Sequence, residues 1–440
     1  MAADRVAAVA TVAAAVAERS RIESTQLASG VRVITERMPE AHSACVGVWV
    51  GVGARDEPEE LSGVSHFLEH LLFKGSDTRS ARDIAQAVDR VGGDMNAFTA
   101  KEYTAYVTRL PSKHLGLGIE LLADVLSQPS LRDDDIEAER QVILEELHMD
   151  EDTPEDRVHT LAYESLFPKH PLGRETAGSA DTVESLGTDD IRSFFNARYG
   201  PGAFVVAAAG LIEHDAVVDA VEMQFGPARA LQTTLRTPPD HVVRPLATLR
   251  RSIEQAHVTI GFRGLRREDP DREALEVLNH VLGGGMSSRL LQTIREDKGL
   301  AYAVYSAHAE FFDAGALTIY AATTPGRVDE VLDLVDAELD RLLFDGITAD
   351  ELDVALGYLE GSLVLGLEDS GSRMSRLGGS LTVRGHVRTI DEQLARYHAV
   401  ALDDVQQVAQ RVLAGPRTLA VVGPIPKRAL LARTLRPAGD

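Results

Sequence analysis

The chain has 440 residues, of which 44% are hydrophobic, so it is long enough for two ordinary domains with full cores. Its 68 acidic and 45 basic residues give a net charge of −23. That balance argues against binding to nucleic acid or to an anionic membrane, because both attract basic patches. The sequence also contains no stretch that is long and apolar enough to cross a bilayer.

Cysteine content and the N-terminal segment bear on the compartment. Cys45 is the only cysteine, which excludes an intrachain disulfide and a metal site of several cysteines, and which fits a reducing cytoplasm. Residues 1–22 are rich in alanine and valine, but Asp4 and the Glu18-Arg19 pair do not suit a secretion signal. We therefore expect residues 1–22 to form a flexible extension, either a short exposed helix or a disordered tail.

The segment His66-Phe67-Leu68-Glu69-His70 has the pattern H-x-x-E-H, the reverse of the H-E-x-x-H pattern of many metalloproteases. Two histidines four residues apart on a helix share a face and can bind one metal ion, and the glutamate can take a proton from water beside it. Residues 61–74 contain no proline and Gly75 follows, which predicts a helix that ends there. Two surface histidines beside a solvated glutamate are the alternative.

The opposite side of this predicted helix is apolar and should pack inward. Its residues are Val64, Phe67, Leu68, Leu71 and Leu72.

The two halves of the chain share a faint internal repeat. A strand predicted at 44–52 precedes the histidine helix, and one at 258–262 precedes a helix of similar pattern. Each half closes on a predicted buried strand, a short apolar run that ends in glycine, at 204–210 and at 419–423. Strands mixed with helices predict an α+β fold or mixed α/β layers. The predicted helices between the strands include residues 81–91, 115–127 and 328–343.

Four prolines between residues 227 and 245 mark a linker. We therefore predict a first domain at 23–226, a linker at 227–245 and a second domain at 246–440.

The second copy of the repeat lacks most of the residues that suit a metal. Residues 66–75 align without gaps to 276–285. Glu276 and Asn279 stand at the positions of the first histidine and the glutamate, and only His280 is retained. Any metal chemistry therefore belongs to the first half.

A third ligand is expected from the predicted helix at 132–150, because zinc sites need at least three protein ligands. Glu139 and Glu146 lie seven residues apart, at one edge of the apolar face of this helix, and either could reach the metal. In the aligned second copy, alanine and serine stand at these two positions. A solvated acidic helix edge is the alternative interpretation.

The chain resembles the pitrilysin/insulinase family of zinc metallopeptidases, in particular the branch of mitochondrial processing peptidase and its two-domain bacterial relatives. The resemblance covers roughly residues 25–430. It is carried by HFLEHLLFKG at 66–75, MNAFTAKEYTAY at 95–106, ERQVILEEL at 139–147 and SSRLLQTIREDKGLAYAVYS at 287–306. It implies an α+β fold of two structurally similar domains, each a mostly antiparallel sheet packed against helices, which together form half of a chamber.

The resemblance also implies a set of site residues. One Zn²⁺ per chain would be bound by His66, His70 and Glu146, and Glu69 would be the general base. Glu139 would support the site by orienting a ligand. The second domain would carry no metal.

The resemblance further assigns two substrate-binding elements. Arg295 and Tyr302 would hold the substrate near the scissile bond and stabilise the developing oxyanion. Without the resemblance, we would expect Arg295 to be a salt-bridged helix residue and Tyr302 a half-buried strand aromatic. The open edge of a strand would pair with extended substrate. The residues of that strand are Asn96, Ala97, Phe98 and Thr99.

The expected function is that of a cytoplasmic zinc endopeptidase that cleaves peptides or unfolded segments within a closed dimeric chamber. Larger family members join four such domains, so two domains per chain imply a second subunit, and a homodimer with composite active sites is the simplest arrangement. One alternative is a catalytic subunit that requires a different, metal-less partner. Another is a non-catalytic core or scaffold subunit, although such relatives typically lose the metal residues. A third is an unrelated α/β protein with an accidental motif.

Overall fold

The computed structural model describes residues 21–426 and residue 430, and these residues form two compact units. The chain alternates between the units. The described part of unit 1 is 21–147, 175–236 and 363–392; that of unit 2 is 148–174, 237–362, 393–426 and 430. Most of the predicted N-terminal extension, residues 1–20, lies outside the described residues, whereas Ile22 begins the first strand.

Unit 1 contains a sheet of six strands within the described residues. These strands are β1 (Ile22–Gln26), β2 (Arg32–Arg37), β3 (Ser43–Val50), β4 (Asp94–Thr99), β5 (Thr104–Pro111) and β6 (Phe204–Gly210). Their spatial order is β1-β2-β6-β3-β5-β4, so β4 forms one edge. The β2–β6 pair is parallel and the other pairs are antiparallel.

The described part of unit 2 contains a five-stranded sheet of related topology. Its strands are β7 (Leu246–Arg250), β8 (Ala256–Gly264), β9 (Ala301–Glu310), β10 (Gly315–Thr323) and β11 (Arg417–Gly423). The spatial order is β7-β11-β8-β10-β9, with one parallel pair, β7–β11, and antiparallel pairs elsewhere. The predicted α+β fold of two similar, mostly antiparallel domains is therefore confirmed.

Helices cover both sheets. In chain order they are α1 (Val64–Leu72), α2 (Ala81–Asp89), α3 (Leu115–Ser127), α4 (Asp133–Asp152), α5 (Pro154–Leu166), α6 (Ala180–Ser185), α7 (Thr188–Arg198), α8 (His214–Gln224), α9 (Arg272–Asn279), α10 (Val328–Phe344), α11 (Ala349–Gly366), α12 (Ser370–Arg384), α13 (Ile390–His398) and α14 (Leu402–Leu413). No helix in the described part of the chain is both long and apolar enough to cross a membrane.

Both faces of the unit 1 sheet are covered, which explains why its central strands are apolar along their whole length. On one face, Val48 of β3 lies in the core that contains the buried side of α1. On the other face, Trp49 packs against α12. The ring of Trp49 fits because Gly378 of α12 has no side chain; a Cβ atom there would lie 2.2 Å from the ring. Because α12 comes from the second half of the sequence, unit 1 is not a continuous piece of chain.

Unit 2 has the reciprocal arrangement. Helix α5, from the first half of the sequence, places Val158 and Ala162 against Tyr320 and Val422 of the unit 2 sheet. The ranges predicted from sequence follow the repeat along the chain, whereas the compact units interleave segments of both halves. Residues 226–245, which include the predicted linker, contain no helix or strand.

Candidate metal centre

Helix α1 carries the H-x-x-E-H segment. It begins at Val64, after Gly63 in the left-handed conformation (φ 97°), and it ends at Leu72. The predicted helix at 61–74 is therefore too long, because residues 59–61 form a separate 3₁₀ turn. The residues predicted to face inward are all buried: Val64, Phe67, Leu68, Leu71 and Leu72. Packing of this apolar side directs His66, Glu69 and His70 to the other side of the helix.

The three expected zinc ligands come together in unit 1. Nε2 of His66 lies 3.8 Å from Oε2 of Glu146, and Nε2 of His70 lies 3.5 Å from the same oxygen. Their donor atoms all lie within 4.8 Å of one another. Two imidazole nitrogens and one carboxylate oxygen form a donor set that suits zinc and leaves a fourth position for water or substrate.

The electrostatics of the histidines also fit a metal. Burial, together with the charge of His70, lowers the pKa of His66 to about 4. The His66 ring is therefore neutral at pH 7, with a lone pair available to a cation. Nδ1 of His70 lies 3.1 Å from Oε2 of Glu139, so that the ring N–H donates to the carboxylate and Nε2 keeps its lone pair.

Glu139 is buried between the His70 ring and the Lys74 ammonium group. Besides His70, its carboxylate forms an ion pair with Lys74. Only 5% of Glu139 is exposed, so a solvated acidic helix edge does not describe this residue. Glu139 therefore lies where it can orient His70, whereas Glu146 lies beside both Nε2 atoms.

Glu69 is held by the neighbouring edge strand. The Thr99 hydroxyl on β4 donates to Oε2 of Glu69 at 2.7 Å. Burial raises the pKa of Glu69 above its ordinary value, and the hydrogen bond from Thr99 opposes this rise. A carboxylate whose pKa is raised towards neutrality is better suited to accept and return a proton.

The side chains of the other β4 residues point to the two opposite faces of the sheet, while the backbone of β4 forms its open edge. Ala97 is buried on the α1 side, whereas the Phe98 ring lies on the other side of the sheet against Tyr103, with ring centroids 5.9 Å apart. The backbone N–H of Ala97 donates to Oδ1 of Asn96 at 2.9 Å. Of the four residues predicted to bind substrate, Thr99 is the one whose side chain contacts Glu69.

Arg295 and Tyr302 lie together in unit 2. The guanidinium carbon of Arg295 lies 5.4 Å from the Tyr302 ring centre, within cation–π range. Tyr302 is 82% exposed, so the expectation of a half-buried strand aromatic is wrong. Arg295 also has its Nε 3.4 Å from Oε1 of Glu296, so that it is ion-paired. The candidate zinc ligands, by contrast, belong to unit 1.

Sequence reasoning missed three consecutive charged residues that precede α1. Arg55, Asp56 and Glu57 are each at most 4% exposed. Glu57 accepts hydrogen bonds from the backbone N–H groups of Gly63 and Ser65. A run of three charged residues shortly before the helix that carries the H-x-x-E-H pattern was the available signal.

An α+β fold of two similar domains with a His/His/Glu donor set is typical of zinc metallopeptidases, and comparison with known proteins agrees with that class. A family model described as insulinase (peptidase family M16) matches residues 32–180, and one described as the peptidase M16 inactive domain matches residues 185–358. The chain belongs to peptidase family M16, as its motifs predicted.

The relatives share most of their length with this chain. An uncharacterized zinc protease of Streptomyces coelicolor is 45% identical over 419 residues, which cover 92% of this chain and 90% of the relative. An uncharacterized zinc protease of Bacillus subtilis is 39% identical over 398 residues, which cover 90% and 97%. The names of these relatives support a peptidase function for this chain and a requirement for zinc.

Solved structures show the same fold. A protease from Helicobacter pylori matches with a TM-score of 0.86 and 23% identity, over 92% of this chain and 99% of that chain. A structure from Pseudomonas fluorescens described as a peptidase M16 inactive domain matches with a TM-score of 0.85 and 20% identity, over 92% and 98%. At these identities the likeness shows the fold alone.

Proposed function

We propose that this protein is a zinc endopeptidase that hydrolyses peptides or unfolded segments. The observation that carries the proposal is the convergence of His66, His70 and Glu146 beside Glu69. We propose that these three ligands hold one Zn²⁺ per chain. When bound, zinc supplies Lewis acidity, which makes water more acidic and polarises a peptide carbonyl. The single cysteine is consistent with a cytoplasmic enzyme.

Glu69 is the proposed general base. Because Thr99 holds Oε2 of Glu69, Oε1 is the oxygen that we propose as the proton acceptor. Glu69 would take a proton from the attacking water and return it to the leaving amine. The raised pKa supports this exchange, since a carboxylate with a low pKa would be too weak a base to take the proton from water.

The substrate would lie extended along the open edge of β4, where backbone pairing demands little of the peptide sequence. Arg295 would hold a substrate carbonyl, and the Tyr302 hydroxyl would donate to the developing oxyanion. Exposure of the Tyr302 side chain is consistent with a group that meets substrate or another subunit.

The general base can be tested by Glu69→Gln. We expect the variant to keep one zinc per chain and to lose about 1000-fold in kcat, because an amide cannot take up the proton. Zinc would be measured by atomic spectroscopy, and cleavage by mass spectrometry of a peptide library with and without chelator. Glu60→Gln is the matched control, since Glu60 is exposed in the loop before α1. Wild-type protein that neither retains zinc nor cleaves any peptide would contradict the proposal.

We further propose that the active form is a homodimer in a closed chamber, with zinc from one chain and Arg295/Tyr302 from the other. A Glu69→Gln chain mixed with an equal amount of an Arg295→Ala/Tyr302→Phe chain should recover about a quarter of wild-type activity. Half of the dimers would be mixed, and each would contain one intact site of two.

Absence of recovery, when subunit exchange is verified by labelled chains, would exclude composite sites. Activity of the chain purified alone would exclude an obligatory, different partner.

A further inference from the structure

We infer that Glu57 is a positioning residue of the zinc site: its buried carboxylate fixes the first turn of α1 and thereby the position of His66. This inference rests on the proposed function and deepens it. It concerns a residue outside the H-x-x-E-H segment, whose carboxylate contacts the backbone at the start of α1.

Glu57 spans the start of the helix with both of its oxygens. Oε2 accepts from the N–H of Gly63 at 2.8 Å, and Oε1 accepts from the N–H of Ser65 at 2.7 Å. The first N–H groups of a helix have no partner inside the helix, and an anion there is stabilised by charge-assisted bonds and by the helix dipole. Because His66 follows Ser65 directly, the same contacts fix the backbone that carries the first ligand.

The segment that carries Glu57 is itself anchored. The buried Arg55 donates from Nη1 to Oε1 of Glu102 at 2.6 Å. Asp56 accepts two hydrogen bonds from Arg236, from Nε at 2.8 Å and from Nη2 at 2.7 Å. Such a two-point guanidinium–carboxylate contact fixes orientation as well as distance. Glu57 therefore acts from a rigid support and not from a free loop.

His66 needs this support more than His70 does. The ring of His70 is oriented by Glu139 through Nδ1. Nδ1 of His66 is buried and meets no hydrogen-bond partner within the described residues. With no acceptor to orient its ring, the position of His66 is set by packing and by the backbone at the start of α1.

The decisive variant is Glu57→Gln, which keeps the size of the side chain but replaces one acceptor oxygen with a donor. We expect zinc affinity to fall about 10-fold. This is the lower end of the range for loss of a residue that supports a metal ligand without binding the metal. Zinc affinity would be measured by competition with a chromophoric chelator. At limiting free zinc, kcat should fall in proportion to bound zinc, with KM unchanged. At saturating zinc, kcat should return to near the wild-type value.

Two matched variants separate this role from others. Glu60→Gln, exposed in the same loop, should bind zinc as the wild type does. Glu69→Gln should bind zinc normally and should not be rescued by excess zinc. Wild-type zinc affinity in a folded Glu57→Gln variant would overturn the inference alone. Failure of the wild-type protein to bind zinc would overturn the proposed function and this inference together.

A second variant and a measurement on the wild type decide the matter if Glu57→Gln does not fold. Glu57→Asp is too short to reach both N–H groups, so zinc affinity should fall. Because the charge is kept, the fall should be smaller than in Glu57→Gln. In zinc-free wild type, hydrogen–deuterium exchange of peptides covering Gly63 and Ser65 should be slow. Exchange as fast as that of an unstructured peptide would show that Glu57 does not fix this turn.

Discussion

Helix α1 in unit 1 and helix α9 in unit 2 occupy equivalent places in the repeat, but their polar side chains have different partners. In unit 1, the donor atoms of two histidines on α1 and of Glu146 on α4 lie within 4.8 Å of one another. In unit 2, Oε1 of Glu276 lies 2.8 Å from Nη2 of Arg272, and Oε2 accepts from the Tyr397 hydroxyl at 2.7 Å. The unit 1 cluster is the cation site that we propose, whereas the equivalent place in unit 2 already contains a guanidinium.

The second unit even retains a group with metal-like spacing. Donor atoms of Glu276, His308 and Glu310 lie within 4.8 Å of one another. However, Nε of Arg272 lies 3.4 Å from Oε1 of Glu310, so that the guanidinium already balances both carboxylates. His280, the retained histidine, stacks on Tyr358 with ring centroids 4.2 Å apart. The comparison teaches that one scaffold can carry either a cluster of metal-ligand donor atoms or a closed ion pair, depending on a few side chains.

The largest expected effect separates the two units directly. His66→Ala should weaken zinc binding by more than about 100-fold, because two ligands do not make a stable zinc site. Glu276→Ala should leave zinc binding unchanged but lower the free energy of unfolding by about 2 kcal/mol, because Arg272 and Tyr397 lose a half-buried acceptor. Zinc titration and chemical denaturation of both variants provide the measurements. Loss of zinc from Glu276→Ala would break the comparison.

The next effect concerns the support of the second histidine. Glu139→Gln should weaken zinc binding by about 10-fold or more, because the amide orients His70 less strongly than a carboxylate. The aligned position in unit 2 is the buried Ala355, so the stacked histidine there has no equivalent support. Glu137→Gln, exposed on the same helix, is the control for zinc titration. Equal zinc affinities of the two variants would remove Glu139 from the site.

A smaller effect is expected from the hydroxyl groups on the edge strands. Thr99→Val should lower kcat about 10-fold without changing KM or zinc content, because Glu69 loses the bond that aims it. Thr99→Ser should restore the rate. In unit 2, Ser306 donates to the backbone oxygen of Asn279, so Ser306→Ala should cost about 1 kcal/mol of stability and no activity. Steady-state kinetics on Thr99→Val that match the wild type would show that Glu69 is aimed by other contacts.

The smallest effect is a pH dependence in unit 2. Burial lowers the pKa of His280 below its ordinary 6.5. As pH falls below about 6.5, His280 takes up a proton in the unfolded chain before it does so in the folded chain. The stability that depends on neutral His280 is therefore fully present above about pH 6.5 and is lost as pH falls to the pKa of the folded state. Denaturation of wild type and His280→Gln at pH 7 and pH 5 should give a smaller loss in the variant. Identical losses would mean that His280 does not contribute.

Sequence reasoning succeeded where the signal is local. The predicted helix at 115–127 has the bounds of α3, and the predicted strand at 204–210 has the bounds of β6. Periodicity alone placed His66 and His70 on one face of α1, since the side chains on the other face are apolar. The predicted ends of α1 were wrong because a separate turn precedes it, and hydrogen bonds to Glu57 mark where the helix starts.

Other features depend on residues far apart in the sequence. Spacing did not choose between Glu139 and Glu146, whereas contacts with the two histidines distinguish them. The exposure of Tyr302 and the exchange of α5 and α12 between the compact units also carried no local signal. In each case the deciding neighbour lies on another element.

The sequence by itself determined the family, the repeat and the face of α1 that carries the candidate ligands, because motifs and helical periodicity act within a few residues. The resemblance implied Glu146 as a ligand and Glu139 as a supporting residue, but only the tertiary structure places Glu146 beside both Nε2 atoms and buries Glu139 against His70. The tertiary structure alone also decided that Glu57 caps α1. These roles arise from packing and desolvation, which depend on what surrounds a side chain in space and not on its neighbours along the chain.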